Sequence, residues 1–139
     1  VSSGRGRVLL DVGGDDDGAV ALGGFSEALT RAGYSMLYVV NSRRELEPDP
    51  AAEAALLRRI EGASRLGVTH LIHNTNLGRE TSPEVLAESV PYLQELSRVT
   101  GIPVLAAAVG EGIIPPALPW QALPVRIYVK PPWEAEEKR

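Results

Sequence analysis

An acidic, glycine-rich segment follows the first apolar run of the chain, and its residue types suit a phosphate and metal site. Asp11 lies near the end of this run, and Gly13 and Gly14 come shortly after it. A carboxylate at this position can hold a magnesium-bound water, and glycines let backbone N–H groups approach a phosphate closely. The aspartates at 15–17 have an alternative role, because carboxylates at a helix start cap the helix and complement its dipole.

Two further polar groups follow later apolar runs. Asn41 ends the second run and is followed by Arg43 and Arg44, whose guanidinium groups can either meet phosphates or a partner's carboxylates or be simply solvated. Asn74 ends the third run and is followed by Asn76, and their amides offer the donor and the acceptor that reading a nucleobase edge requires. Asparagine also suits the turn after a strand, so the residue types alone leave both roles open.

Other common reaction centres find no support in the sequence. His70 and His73 are three residues apart within or beside an apolar run, so in a strand their side chains point to opposite faces and form no compact metal pair. They are interpreted as core or surface histidines. The chain has no cysteine, which excludes disulfides and thiolate chemistry, and no G-x-S-x-G sequence, so no hydrolase triad is assigned.

The elements that must position the polar groups are predicted by the apolar runs themselves. Residues 8–12, 35–41, 69–74 and 103–109 form four short runs whose apolar residues are consecutive rather than alternating with polar ones, which is typical of strands covered on both faces in a parallel sheet. Stretches of helical length separate them, so the pattern is a repeated βαβ unit. Residues 125–130 alternate in polarity and predict a half-exposed edge strand. The fold class is therefore α/β, a three-layer sandwich with a mainly parallel sheet of about five strands.

Helix ends are predicted by glycine and by proline. Gly33, Gly67 and Gly101 each stand shortly before a strand, where a left-handed residue ends the preceding helix. Asp49 followed by Pro50 is typical of an N-cap and the first helical position.

The helix before the fourth strand has two candidate caps and one interruption. Thr81 or Ser82 is predicted to cap its start. Pro91 removes an internal hydrogen bond, so we expect either a kink there or a new helix that begins with Ser89 as its cap.

Length and charge limit the classes of protein that fit. The 139 residues suit one α/β domain over residues 1–133, followed by a charged tail at 134–139. A net charge of −4 gives no general attraction to nucleic acid or to an anionic membrane surface. No apolar run approaches the roughly 18 residues that a bilayer span needs. We expect a cytoplasmic protein that binds neither nucleic acid nor membrane.

Taken together and in this order, the three polar motifs resemble a branch of the MinD/ParA-like P-loop ATPases of the SIMIBI class. The resemblance extends from residue 8 to about residue 133. It implies that Asp11, Gly13 and Gly14 lie on the magnesium and γ-phosphate side of a nucleotide site, with Asp11 holding the metal through water. It also implies that Asn74, with Asn76 beside it, lies on the adenine side.

The chain departs from this family at the phosphate loop, because G-x-x-x-x-G-K-[ST] is absent and the only lysines are Lys130 and Lys138. In related folds the strand before that loop lies between the strands expected here at residues 8–12 and 35–41. The resemblance therefore implies a P-loop-like sheet without this strand, and the missing initiator methionine favours a part of a longer chain. ATP and magnesium are expected only when a phosphate-loop half is supplied, which would complete a Mg-dependent ATPase.

Two other functions remain open. A degenerate α/β domain can serve as a non-catalytic interaction or regulatory module, with another protein chain or a second copy of itself as the partner, because unpaired strand edges seek partners. A receiver-like signalling domain fits the acidic cluster at 15–17, but the third predicted strand ends in Asn74 rather than in an aspartate that accepts phosphate.

Overall fold

A four-stranded sheet organises the chain in the computed structural model, which describes residues 6–14 and 16–128. The strands are β1 (Leu37–Val40), β2 (His70–His73), β3 (Val104–Gly110) and β4 (Gln121–Val125), adjacent in that order. All three neighbouring pairs are parallel, which confirms the α/β class and the parallel sheet. The described sheet has four strands rather than about five.

Five helices accompany the strands in the described part of the chain. They are α1 (Asp16–Gly23), α2 (Ser26–Ala32), α3 (Pro50–Ser64), α4 (Pro83–Glu88) and α5 (Val90–Thr100), with a short 3₁₀ turn at Gly78–Glu80. Helix α3 connects β1 to β2, and α4 and α5 connect β2 to β3, as the βαβ pattern predicts. The described helices are too short and too polar to cross a membrane.

Most of the predicted helix boundaries are confirmed. The Asp49 carboxylate accepts a hydrogen bond from Ala51 N at 2.9 Å, and Pro50 opens α3. Ser82, rather than Thr81, caps α4 through its hydroxyl. A new helix begins after Ser89 as expected, although the Ser89 hydroxyl makes no capping bond.

The end of α3 differs from the prediction. The left-handed residue there is Arg65, with φ 57°, and not Gly67. The Arg65 guanidinium donates to the carbonyl of Gly23 at the end of α1, and this anchor holds a non-glycine residue in the left-handed region. Gly23 itself is required by packing, since a Cβ there would lie 2.7 Å from the Ala63 carbonyl oxygen.

The hydrophobic core lies between the sheet and helices α3 and α5. Its buried members are Val40, Leu57, Val68, Leu71, Leu93, Leu96 and Ile102. Tyr38 also packs against this cluster, so alternate residues of β1 face the helices. The buried members of this core are all aliphatic.

No described element covers the other face of β1. Leu37 and Val39 point away from the core and are 44% and 58% exposed. Right-handed crossovers between consecutive neighbouring strands bring their helices to the same face, which leaves this side of β1 bare. A three-layer sandwich is accordingly not confirmed in the described part of the chain.

The prediction of a strand at residues 8–12 is wrong in this structure. The segment has no regular secondary structure, and Val8, Leu9 and Leu10 are 70%, 92% and 52% exposed. Apolar composition favours burial, but a strand forms only where a neighbour supplies backbone hydrogen bonds. No described residue pairs with this segment, and the outer edge of β1 is likewise unpaired.

The last strand lies earlier than predicted. The observed β4 ends at Val125, residues 126–128 are outside it, and residues 129–130 of the predicted strand at 125–130 lie outside the described residues. Pro124 falls inside β4, where it is tolerated because the strand is at the edge of the sheet. Pro124 and the alternating pattern that follows it in the sequence explain why the strand was predicted too far along the chain. The predicted charged tail at 134–139 is also outside the described residues.

Candidate functional site

The loops that follow β1 and β2 meet at the carboxyl edge of the sheet. The two strands are parallel and in register, so the residues after Val40 and after His73 are brought side by side. Asn74 N continues the ladder by donating to Val40 O at 2.8 Å. The sequence prediction that Asn41 and Asn74 lie at one ligand-binding edge is consistent with this geometry.

Asn41 joins the two loops through both ends of its amide. Its Nδ2 donates to Asn76 O at 3.2 Å, and its Oδ1 accepts from Asn76 N at 3.3 Å. The same Oδ1 accepts from Arg43 N at 3.0 Å. The side chain thus pairs with the main chain of Asn76 in the way that a peptide group of a neighbouring strand would.

A buried pair of hydroxyl side chains lies beneath this connection. Ser42 N donates to Thr75 Oγ1 at 3.2 Å, and the two hydroxyl oxygens are 3.1 Å apart. Both residues are almost fully buried. The pair could have been found from the sequence, because each residue lies one position beyond the end of a predicted parallel strand.

The two asparagines predicted to contact a base differ in their surroundings. Asn76 uses its amide inside the loop, where Nδ2 donates to Asn74 O at 2.9 Å and Oδ1 accepts from Gly78 N at 3.3 Å. The Asn74 side chain is half-buried and forms no hydrogen bond with another described residue. Asn74 is therefore the residue of this loop whose amide is available to a ligand.

The residues predicted for the phosphate side do not join this cluster. Asp11, Gly13 and Gly14 are exposed, and no hydrogen bond links them to Asn41 or Asn74 in the described part of the chain. Their assignment to a magnesium and phosphate site stays a prediction. Nor do the described residues contain any group of three or more metal-ligating side chains.

His73 lies on the core side of the same strand end. Ser89 Oγ donates to Leu86 O at 2.8 Å and is 2.6 Å from His73 Nε2, so the proton of this second bond comes from the imidazole. Nδ1 is buried without a partner, and the Trp120 ring lies 5.7 Å from the imidazole between centroids. Burial lowers the pKa of His73 to about 4. His73 is therefore a neutral core histidine, which is one of the two roles that the sequence predicts for it.

One of the two arginines after β1 is engaged within the chain. Arg43 Nη2 contacts Glu88 Oε2 at 2.6 Å, and both side chains are largely exposed. This surface ion pair connects the loop after β1 to α4. The side chains that join the two loops beside Asn74 are amides and hydroxyls, which suit binding and orientation.

Comparisons with known proteins identify no relative of this chain. No family model, no curated protein and no solved structure matches it.

Proposed function

We propose that this chain supplies the base-binding side of a P-loop-type ATP site and works only together with a phosphate-loop segment. The observation that carries the proposal is the unengaged Asn74 amide at the carboxyl end of β2. Ligands of open parallel sheets bind beyond the carboxyl ends of the strands, where this amide lies.

The Asn74 backbone is held on both sides, which prepares its side chain for recognition. Its N–H donates to Val40 O and its carbonyl accepts from Asn76 Nδ2. A carboxamide offers one donor and one acceptor, which match the exocyclic amine and a ring nitrogen of adenine. An amide carried on a fixed backbone of this kind binds without first paying the entropy of ordering its loop.

The phosphate side is the part that a second segment must complete. Asp11 would hold magnesium through water there, and Gly13 and Gly14 would admit the phosphates. The unpaired outer edge of β1 supports this proposal, because a sheet that lacks a strand on that side leaves the edge open, and residues 8–12 likewise pair with no described residue. Without the ring of N–H groups and the lysine of a phosphate loop, the chain alone should neither hydrolyse ATP nor bind it tightly.

The direct experiment is a ¹⁵N NMR titration of the isolated chain with adenosine and, separately, with guanosine at millimolar concentration. We expect shifts in the loop at 74–76 with adenosine and weaker ones with guanosine. Asn74→Ala should weaken adenosine binding by roughly fivefold or more, the loss expected when a polar group of the base is left unpaired. Gln94→Ala, which removes an exposed amide from α5, is the matched control. Equal shifts for both nucleosides, or an unaffected Asn74→Ala variant, would exclude the proposal.

A second candidate function is that of a non-catalytic module that docks on another protein. The exposed apolar side chains of Leu37 and Val39, next to an unpaired strand edge, favour it. The same titration separates the two functions, since a docking module without a base site leaves the loop resonances unmoved by either nucleoside.

A further inference from the structure

We infer that Asn41 is a positioning residue for the nucleobase, acting through Asn76 on Asn74. The inference rests on the proposed function and extends it to a residue on the neighbouring strand. Asn41 reaches the loop from the end of β1, while the recognising amide of Asn74 stands at the end of β2.

The hydrogen bonds form a continuous path between the two residues. Asn41 holds both the N–H and the carbonyl of Asn76, at 3.3 and 3.2 Å. Asn76 in turn donates its side-chain amide to the Asn74 carbonyl at 2.9 Å. When the Asn41 amide is removed, the Asn76 peptide loses both of these partners, and the Asn74 carbonyl depends on a side chain that is no longer fixed.

The local turn does not replace these contacts. Asn76 Oδ1 accepts from Gly78 N, a residue with φ 61°, so the loop departs from the strand direction immediately beyond Asn76. The buried Ser42 and Thr75 pair fixes the base of the loop, but neither hydroxyl forms a hydrogen bond with Asn74 or Asn76. Asn41 is therefore the side chain of β1's loop that sets the direction in which Asn74 is presented.

The experiment compares adenosine affinity in the wild-type chain, Asn41→Ala and Asn41→Asp. Asn41→Ala should weaken adenosine binding by roughly fivefold or more and remove the preference over guanosine. Asn41→Asp keeps the bonds accepted from Asn76 N and Arg43 N but loses the donation to Asn76 O. Its affinity should therefore fall by roughly two- to fivefold, between the wild-type and alanine values. Arg43→Ala is the matched control, because it removes the exposed pair with Glu88 and leaves the Asn41 contacts in place.

Two readouts separate positioning from a structural role and from failure of the proposed function. Hydrogen exchange at Asn76 N–H should accelerate in Asn41→Ala while the urea midpoint stays close to that of Arg43→Ala. Unchanged adenosine affinity and base preference in a folded Asn41→Ala, or unchanged affinity in Asn41→Asp if the alanine variant does not fold, would overturn the inference alone. If the wild-type chain does not respond to adenosine, the proposed function and the positioning role are both rejected.

Discussion

The two flanks of β1 differ: the inner flank is the edge paired with β2 and the face packed on α3 and α5, and the outer flank is the opposite edge and the opposite face. On the inner flank the strand pairs with β2, Val40 is 1% exposed, and the loops beyond the strands are joined by Asn41 and by the Ser42 and Thr75 pair. On the outer flank no described strand pairs with β1, and Val39 is 58% exposed. Adjacent residues of one strand thus lie in a finished core and on an open surface.

The difference shows where the stability of this domain is located. Polar groups on the inner flank are satisfied by partners from a strand that is present, and the side chains below them are packed by α3 and α5. The outer flank also carries apolar side chains, but no described element covers them. They therefore add little to the free energy of folding. A sheet edge of this kind is available for completion by another segment.

The largest expected effect separates the two faces of β1 directly. Val40→Ala should lower the free energy of unfolding by roughly 2 to 3 kcal/mol, because it removes two buried methyl groups and leaves a cavity. Val39→Ala, the same change on the neighbouring residue, should cost less than about 0.5 kcal/mol. Urea denaturation of both variants measures the contrast. Similar losses for the two would mean that the outer face is covered in solution.

A second prediction concerns the pH dependence of the free energy of unfolding, which involves His73 on the inner flank. The folded pKa of His73, about 4, lies below the unfolded value of about 6.5, so the neutral form stabilises the fold. This stability is complete above pH 6.5 and is lost as the pH falls towards 4. Between pH 7.5 and pH 5 the loss should reach about 2 kcal/mol.

The matched control for this pH dependence is His73→Gln, whose side chain can still hydrogen-bond Ser89 but does not titrate. Denaturation midpoints of the two proteins should converge as the pH falls from 7.5 to 5. If the wild-type protein and the variant keep a constant difference over this range, burial does not hold His73 neutral.

The sequence predicted the inner flank better than the outer one, for a physical reason. The strands predicted at 35–41, 69–74 and 103–109 pair with one another, so apolar composition was sufficient to locate β1, β2 and β3. The caps at Asp49 and Ser82 were also predictable, because a cap depends on neighbours within one turn. At residues 8–12 the same composition failed, since strand formation depends on a neighbour that composition cannot reveal.

The candidate site was predictable only in part. Parallel strands place their ends together, so the sequence indicated that Asn41 and Asn74 belong to one edge. It did not reveal that the Asn76 amide is used inside its own loop or that Ser42 pairs with Thr75, because both depend on the exact register between β1 and β2. The proposed roles of Asp11, Gly13 and Gly14 still rest on the family resemblance.

A smaller effect is expected from the buried hydroxyl pair. Thr75→Val keeps the shape of the side chain but removes the acceptor for Ser42 N and the partner of the Ser42 hydroxyl. The cost should be about 1 to 2 kcal/mol in urea denaturation, since Ser42 is left buried with unmet hydrogen bonds. In Ser42→Ala/Thr75→Val the combined cost should be less than the sum of the single costs. Additive costs would show that the two hydroxyls do not interact.

The smallest effect on folding is expected on the outer flank of β1. A substitution there should change self-association rather than stability. An unpaired edge with exposed Leu37 and Val39 predicts that the chain self-associates as its concentration rises. Val39→Lys places a charge on this surface and should change the free energy of unfolding by less than about 0.5 kcal/mol. It should nevertheless reduce the average mass measured by light scattering, because a lysine at a strand edge opposes edge-to-edge pairing. Gln94→Lys adds the same single positive charge on the exposed surface of α5 and serves as the control for altered net charge. A wild-type chain that stays monomeric at all concentrations, or a Val39→Lys variant that associates as the wild type does, would show that the outer edge of β1 is not the surface that seeks a partner.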